Sequence, residues 1–215
     1  MLVALVATLA AVGTILWFWW VPTYRPGLRG GERYGIDVSS HQGQINWTAV
    51  SHNHIAFAYI KESEGTTFVD PAFSANWAAA GAAHLDRGAY HFFTLCSPGQ
   101  DQASAFLARL PPSAELDPAV DLELGGNCST RPSAAELANQ LDQFRTSVEA
   151  ATGRPLVLYI GDSFADRYPS VDALTEPRWV RKLLRRPGGS WLLWQANGQG
   201  RVSGINGGVD LDVMR

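Results

Sequence analysis

Positive charge is not in excess in this chain, and charge of either sign is sparse. Only 17% of the 215 residues are charged, and 17 Lys and Arg face 20 Asp and Glu, a net charge of −3. With a pI near 5.9 there is no basic footprint for nucleic acid. No Gly-rich phosphate loop follows any strand-like run, which lowers the nucleotide-binding kind of α/β fold. His41, His52, His54, His84 and His91 are scattered, and no pair has metal-ligand spacing, so no metal and no cofactor is expected. Cysteine occurs only as Cys96 and Cys128. Internal repeats and low-complexity tracts are absent.

Apolar side chains are plentiful. The 46% hydrophobic content is enough for one sizeable core, and one domain is the natural reading once the N-terminus is set aside. The 8 Trp, 6 Tyr and 9 Phe are mostly core, yet flat rings also stack on sugars, which favours a carbohydrate surface.

The N-terminus is a separate object. "LVALVATLAAVGTILWFWWV", residues 2–21, carries no charge. At ~1.5 Å per residue, a helix of this length spans a ~30 Å hydrocarbon core. Trp17, Trp19 and Trp20 gather at one end, where interfacial aromatics belong. A cleaved signal peptide is the alternative, but its apolar region is usually shorter and ends in small residues. Residues 1–21 therefore read as a signal-anchor that meets the membrane through residues 2–21, and residues 22–33, rich in Pro, Gly and Arg, as a tether.

From residue 34 onward, apolar runs alternate with helical patterns. Strands are expected at 34–40, 55–63, 87–93, 119–124, 156–161, 190–196 and 208–214. Their runs have few polar breaks, as in strands covered on both faces. Helices are expected at 71–83 and 99–110, and most clearly after Ser133. There Ser133 and Glu136 form a capping box, Leu137, Leu141, Phe144 and Val148 form an apolar stripe, and Gly153 ends the helix. Alternation of this kind implies parallel βαβ units, and an α/β barrel and a doubly wound sheet both fit.

Acids recur toward the C-terminal ends of the strand runs: Asp37, Glu62 or Glu64, Asp121, Glu123 and Asp210. In an α/β barrel that end carries the active site. In "VDLELG" (120–125), Asp121 and Glu123 are two apart and share one side of the strand, while Leu122 and Leu124 turn into packing. Two like charges in a low-dielectric site cannot both ionise easily, so one carboxyl keeps its proton near neutral pH. A protonated carboxyl is what glycoside hydrolysis needs to assist the leaving oxygen. For any single acid, a helix cap or loop ion pair is the ordinary alternative; several converging on one barrel mouth favour a site.

The ordered set "YGIDVSSHQGQINW", "YIKESEGTTFVDPAFSANW", "GAYHFF", "AVDLEL", "LYIG", "WLLWQ" and "GVDLDV" resembles glycoside hydrolase family 25, the Chalaropsis-type lysozymes, from about residue 34 to 215. The resemblance implies a TIM-like barrel of irregular (β/α)5(β)3 type, here preceded by one N-terminal hydrophobic helix. It implies a muramidase that hydrolyses the β-1,4 bond between N-acetylmuramic acid and N-acetylglucosamine in peptidoglycan. By resemblance Glu123 matches the general acid, Asp121 its D-x-E neighbour, Asp37 the first-strand Asp and Asp210 the last-strand Asp. Lys61, Glu64, Tyr90 and Tyr159 match groove positions, and Trp194 and Gln195 match a Trp-Gln pair near the sugar. His91 in "YHF" reads as support for the barrel interior through hydrogen bonds.

The chain departs from the family pattern in two places. The last strand reads "DLD", with Asp212 where Asn is usual; this extra carboxylate either raises neighbouring pKa values or faces outward. The sixth strand reads "RWVRKLLRRPGG", short and basic. Its Arg178, Arg181, Lys182, Arg185 and Arg186 read as a solvated face, with contact to anionic peptide stems or lipid head groups as the alternative.

Cys96 and Cys128 each follow a strand, the third and fourth, so adjacent parallel strands bring them together at the barrel mouth, and an exported domain would oxidise them. A catalytically silent glycan-binding or scaffold protein on the same barrel is the alternative function, but a binder has no need of the acid. The expected protein is monomeric, acts on glycan strands, and faces the periplasm or cell exterior. Arg25, Arg29 and Arg33 after the apolar segment run against the positive-inside tendency, though long domains translocate largely regardless of flanking charge.

Overall fold

The apolar runs close into a barrel in the computed structural model, which describes residues 13–15, 17–126 and 128–215. Strands β1 (Arg33–Val38), β2 (Ile55–Glu64), β4 (Asp86–Phe92), β5 (Ala119–Leu122), β6 (Val157–Ile160), β7 (Arg178–Arg181) and β8 (Leu193–Gly200) lie parallel in that chain order. The last strand, β9 (Val209–Met214), enters antiparallel between β8 and β1 and completes the ring. A two-residue strand, β3 (Phe68–Val69), pairs with the end of β2 outside the ring. The observed architecture is thus the eight-stranded irregular barrel, not the doubly wound sheet.

Helices α1 (Trp47–His52), α2 (Phe73–Ala82), α3 (Gly99–Leu107), α4 (Ala134–Thr152) and α5 (Asp162–Arg167) pack outside. Side-chain alternation along the strands divides the core into two layers. Phe57, Tyr59, Tyr90, Ala119, Val157, Tyr159, Trp179, Leu193 and Met214 fill the barrel. Ile36, Ala58, Ile60, Val120, Leu122 and their neighbours meet the helices. Helix α4 is built as its sequence dictates. Ser133 and Glu136 cap each other, Leu137, Leu141, Phe144 and Val148 are buried, and Gly153 ends the helix at φ +66°, where a side chain would be strained.

His91 does make buried hydrogen bonds, but on the helix side of the wall rather than in the interior. Its ring lies 5.1 Å from that of Phe144 and contacts Ser63 Oγ (2.8 Å) and Gln102 Oε1 (3.2 Å). Burial pushes its pKa down to about 4.

The segment read as a tether lies against the barrel. Asn197 Nδ2 donates to Val21 O (2.6 Å) and Tyr24 O (3.2 Å), Arg201 N donates to Pro22 O (2.7 Å), and Tyr34 OH donates to Pro26 O (2.5 Å). Arg186 pairs with the buried Glu32. Residues 13–15 and 17–20 are helical, and Trp17, Phe18, Trp19 and Trp20 are exposed. No helix among the described residues is long and apolar enough to cross a membrane. The spanning reading of 2–21 falls mostly on residues 2–12 and 16, which lie outside the described residues.

Cys96 and Cys128 form a disulfide, 32 residues apart in sequence, that ties the loop after β4 to the loop after β5. Gln102 holds the first of these loops from below, bonding Thr94 N, Thr94 O and Ser97 O at 2.9 Å each. Closing a loop of about this size contributes roughly 3–4 kcal/mol by chain entropy. Replacing both cysteines by Ser should therefore lower the unfolding free energy by about that amount in denaturant titrations, with an unchanged far-ultraviolet spectrum. Equal midpoints for the two proteins would contradict this.

Candidate active site

At the C-terminal end of the parallel strands a cavity of about 280 Å³ is lined by Asp37, Tyr90, Val120, Asp121, Glu123, Tyr159, Trp179, Arg181, Gln195 and Asp210. Alternation along β1, β4, β5, β6, β7, β8 and β9 aims these side chains, other than Val120, inward. Asp37 ends β1 opposite Asp210 on β9, and Asp121 ends β5 opposite Tyr159 on β6. Glu123 stands one residue beyond β5. The backbone of this segment is pinned from both sides: Phe93 N donates to Asp121 O (2.9 Å), and Gly161 N to Leu122 O (3.0 Å).

The four expected acids therefore share one cavity, with Tyr90, Tyr159 and Gln195. Lys61 and Glu64 sit beside it as an ion pair at 2.7 Å, with the Lys61 ammonium 4.7 Å from the centre of the Phe92 ring. Trp194 lies on the opposite face of β8. It is fully buried, donates from Nε1 to Lys182 O (2.8 Å), and packs against Trp191 and Arg186. Adjacent residues of a strand face opposite ways, so only one of the Trp-Gln pair can reach the cavity, and it is Gln195.

The aromatic wall comes instead from Trp179 of β7, flanked in the cavity by Arg181. Both lie in the basic segment that reads as a solvated face. Arg181 stays solvent-exposed at the cavity's edge, 3.5 Å from Asp162, but the reading fails for Arg186 on Glu32 and for Arg178, which donates to Val171 O (2.7 Å) and Leu174 O (2.9 Å). The signal that was present is the alternation in "RWVR": Trp179 and Arg181 share a face. Asp212 turns inward too, one inward position below Asp210, and does not line the cavity.

Electrostatics here are those of buried like charges. Burial, then the charge of Glu123, push the Asp121 carboxyl well above the usual range, with Lys61 acting the other way. One Asp121 oxygen has no hydrogen-bond partner. Burial, then Asp212, push Asp37 up. Burial, then Asp37, push Asp210 up to about 8, opposed by Arg181. Tyr159 and Tyr90 are raised for the same reasons. Tyr159 OH donates to Gln195 Oε1 (3.1 Å), and Gln195 Nε2 donates to Asp37 Oδ2 (3.4 Å). Asp37, Asp121 and Asp210 thus favour their protonated forms, beside Glu123 and among rings and hydrogen-bonding groups suited to a sugar.

Similarity to known proteins agrees with this geometry. The profile of "Glycosyl hydrolases family 25" matches residues 36–205. The chain is 38% identical over 191 residues to "Uncharacterized protein YegX" of Escherichia coli O157:H7, covering 84% of this chain and 69% of that protein. It is 34% identical over 193 residues to "Lysozyme M1" of Streptomyces globisporus, covering 82% of this chain and 65% of that protein. The solved family 25 glycosyl hydrolase from Bacillus anthracis superposes with a TM-score of 0.77 at 30% identity, covering 87% of this chain and 94% of that one.

Gly161 gives the site a stringent requirement. A Cβ built there would stand 3.0 Å from Glu123 Cγ and 3.0 Å from Glu123 Oε1. The backbone at Gly161 (φ −68°) suits any residue, so Gly161→Ala should leave stability nearly unchanged while displacing the Glu123 carboxyl. A misplacement of catalytic groups by ~1 Å costs up to ~10²-fold, and a smaller displacement should lower kcat by roughly five- to thirtyfold. Wild-type kcat in a well-folded Gly161→Ala protein would show that Glu123 is free to move without consequence.

Proposed function

The chain belongs to glycosyl hydrolase family 25, and from that premise we propose that it is a lysozyme-type muramidase whose acid is Glu123. The observation that carries this reading is the Asp121–Glu123 pair, which enters one cavity with Asp37 and Asp210 while the backbone on both sides is fixed. The substrate is the β-1,4 bond between N-acetylmuramic acid and N-acetylglucosamine in peptidoglycan. Glu123, at the strand's open end, gives a proton to the leaving oxygen as the glycosidic bond breaks. Asp121, adjacent on the same side, orients the 2-acetamido group of the muramic acid, whose oxygen attacks its own anomeric carbon. Water then opens the cyclic intermediate, with Glu123 taking back a proton. Asp37 and Asp210 hold charge and position opposite. The placement of Asp121 beside Glu123 favours this substrate-assisted route over attack by a carboxylate across the groove.

Tyr90, Tyr159, Trp179 and Gln195 shape the sugar subsite, and Lys61 and Glu64 border it. A glycan strand outside the cytoplasm requires an exported protein, and the disulfide fits an oxidising compartment. The uncharged run 2–21, with exposed Trp17, Trp19 and Trp20 at its end, supports a membrane anchor that leaves the barrel on the outer side. The barrel acts as a monomer.

Mass analysis of fragments released from purified peptidoglycan tests the activity. Reducing ends on muramic acid are expected; ends on glucosamine, or anhydro products, would defeat it. Glu123→Gln keeps size and removes the proton, so kcat should fall by roughly 10²–10⁴-fold with cooperative unfolding retained.

Stereochemistry tests the mechanism separately. Proton NMR of the new reducing end should show the β anomer first, since both retaining routes give it, whereas an initial α product means inversion. Tight inhibition by a stable thiazoline mimic of the bicyclic intermediate is expected only if the acetamido group is the nucleophile. An indifferent enzyme would return the role to Asp37 or Asp210.

A further inference from the structure

Beneath the cavity floor one carboxyl has no evident reason to be there. Along β9 the inward positions are Asp210, Asp212 and Met214, from the mouth toward the barrel interior. Asp212 is wholly buried and lies opposite Gly35 of β1 and Gln195 of β8. Its Oδ1 accepts from Trp179 Nε1 at 2.9 Å, and its Oδ2 is buried with no donor available. Asp37, two residues along β1 from Gly35, is its diagonal inward neighbour on the adjacent strand, and the two carboxyls act on each other's protonation. Two ionised carboxylates are both acceptors and repel. They can meet in a dry interior only if a proton lies between them. Gln195 Nε2 donates to Asp37 Oδ2, and Asp212 Oδ2 receives no hydrogen bond from any described residue, so a proton between the carboxyls is what reconciles them.

We propose that Asp212 is a positioning residue for the muramidase reaction: it shares one proton with Asp37, and this carboxyl pair, tied to Trp179 and Gln195, fixes the Asp37 carboxyl toward the substrate. The proposal rests on the muramidase reading for its kinetic consequence, but not for the proton itself. Loss of the proton leaves two facing anions, which drives Asp37 out of place, so the pair confers an upper pH limit on the site. An amide at 212 would donate permanently to Asp37 and remove that limit.

The charged and titratable groups around the pair are compatible with a retained proton. Asp210 stands above it on β9, and Tyr59 of β2 lies near Asp212. Asp121 of β5, Glu123 just beyond it, Tyr90 of β4 and Tyr159 of β6 face Asp37 across the cavity, with Arg181 of β7 and Lys61 of β2 the nearby cations. Acids outnumber cations, and both members of the pair are raised by burial first.

Asp212→Asn and Asp212→Ala test this in the full chain. Infrared spectra at neutral pH should show that Asp212→Asn has lost one carboxyl's share of the un-ionised acid C=O stretch, since Asp37 becomes an anion facing an amide donor. The same variant should keep kcat within about threefold of wild type at neutral pH, with the alkaline limb of kcat/KM displaced upward by roughly one unit, the scale of one removed charge interaction. Asp212→Ala strands both Asp37 and the Trp179 N–H. Its kcat should fall roughly ten- to a hundredfold, the loss that accompanies an unmade hydrogen bond to a charged group, with KM changed far less. An acid band that survives in Asp212→Asn overturns the shared proton. A lost band with a superimposable pH profile overturns its link to catalysis. Should Asp212→Ala fail to fold, the Asn variant alone decides. The infrared result needs no substrate, so it stands or falls apart from the muramidase reading.

Discussion

Everything at the mouth of this barrel depends on the cost of bringing like charges out of water. Five carboxyls converge on the cavity and its floor: Asp37, Asp121, Glu123, Asp210 and Asp212. Two cations stand near, Arg181 in the wall and Lys61 beside it, and Lys61 is already paired with Glu64. An unpaired buried anion is expensive, and the cheapest relief is a proton. The sequence thereby converts burial into stored acid. A chain that spread these acids over its surface would be as soluble and would have no proton to give at neutral pH.

That cost explains the rigidity of the frame. The Asp121 carboxyl has an oxygen with no partner, so only the surrounding structure keeps it there. The backbone carbonyls of Asp121 and Leu122 are hydrogen-bonded to Phe93 and Gly161, the flanking Leu122 and Leu124 pack under the helices, and the disulfide fastens the loop beyond. The closed ring contributes as well, since β9 pairs on both edges and brings Asp210 opposite Asp37. Stability has the opposite pH sense from an ordinary salt-bridged acid. Groups whose folded pKa is raised favour folding most below the usual carboxylate range, and that contribution declines as pH rises toward the folded value, about 8 for Asp210.

Much of this was legible in the sequence because it lives in short periods. Alternation aimed Asp121 and Glu123 together and Leu122 away, and the 3.6-residue stripe with its cap defined α4. The cysteines were legible because each follows a strand. Legibility ended where a choice depended on partners far along the chain. The pair Trp194–Gln195 must face opposite ways, but which faces in is set by pairing with β7 and β9, not by the pair itself. "RWVRKLLRRPGG" looks like surface because charge dominates its composition, yet Trp179 and Arg181 are wall residues, and Arg186 is absorbed by Glu32 from residue positions far upstream. The segment 22–33 looks like a tether because it is rich in Gly and Pro, and only the side chains of Asn197, Arg186 and Tyr34 reveal that it is held.

The aspartate at 212, where the family resemblance leads one to expect Asn, follows from the same electrostatics. Taken alone it adds an anion beneath a site already crowded with them, and a buried carboxylate left unpaired should be selected against. It is tolerable here because the Trp179 indole N–H satisfies one oxygen, and the proposed proton shared with Asp37 relieves the other, which has no donor of its own. The indole is supplied by the strand whose sequence departs most from the expected pattern. The two departures are therefore adjacent in space, at 2.9 Å between Trp179 Nε1 and Asp212 Oδ1, although 33 residues separate them in the chain. A substitution at either position acts on the other through that bond, so Trp179 is both a wall of the sugar site and the support of the group that holds Asp37.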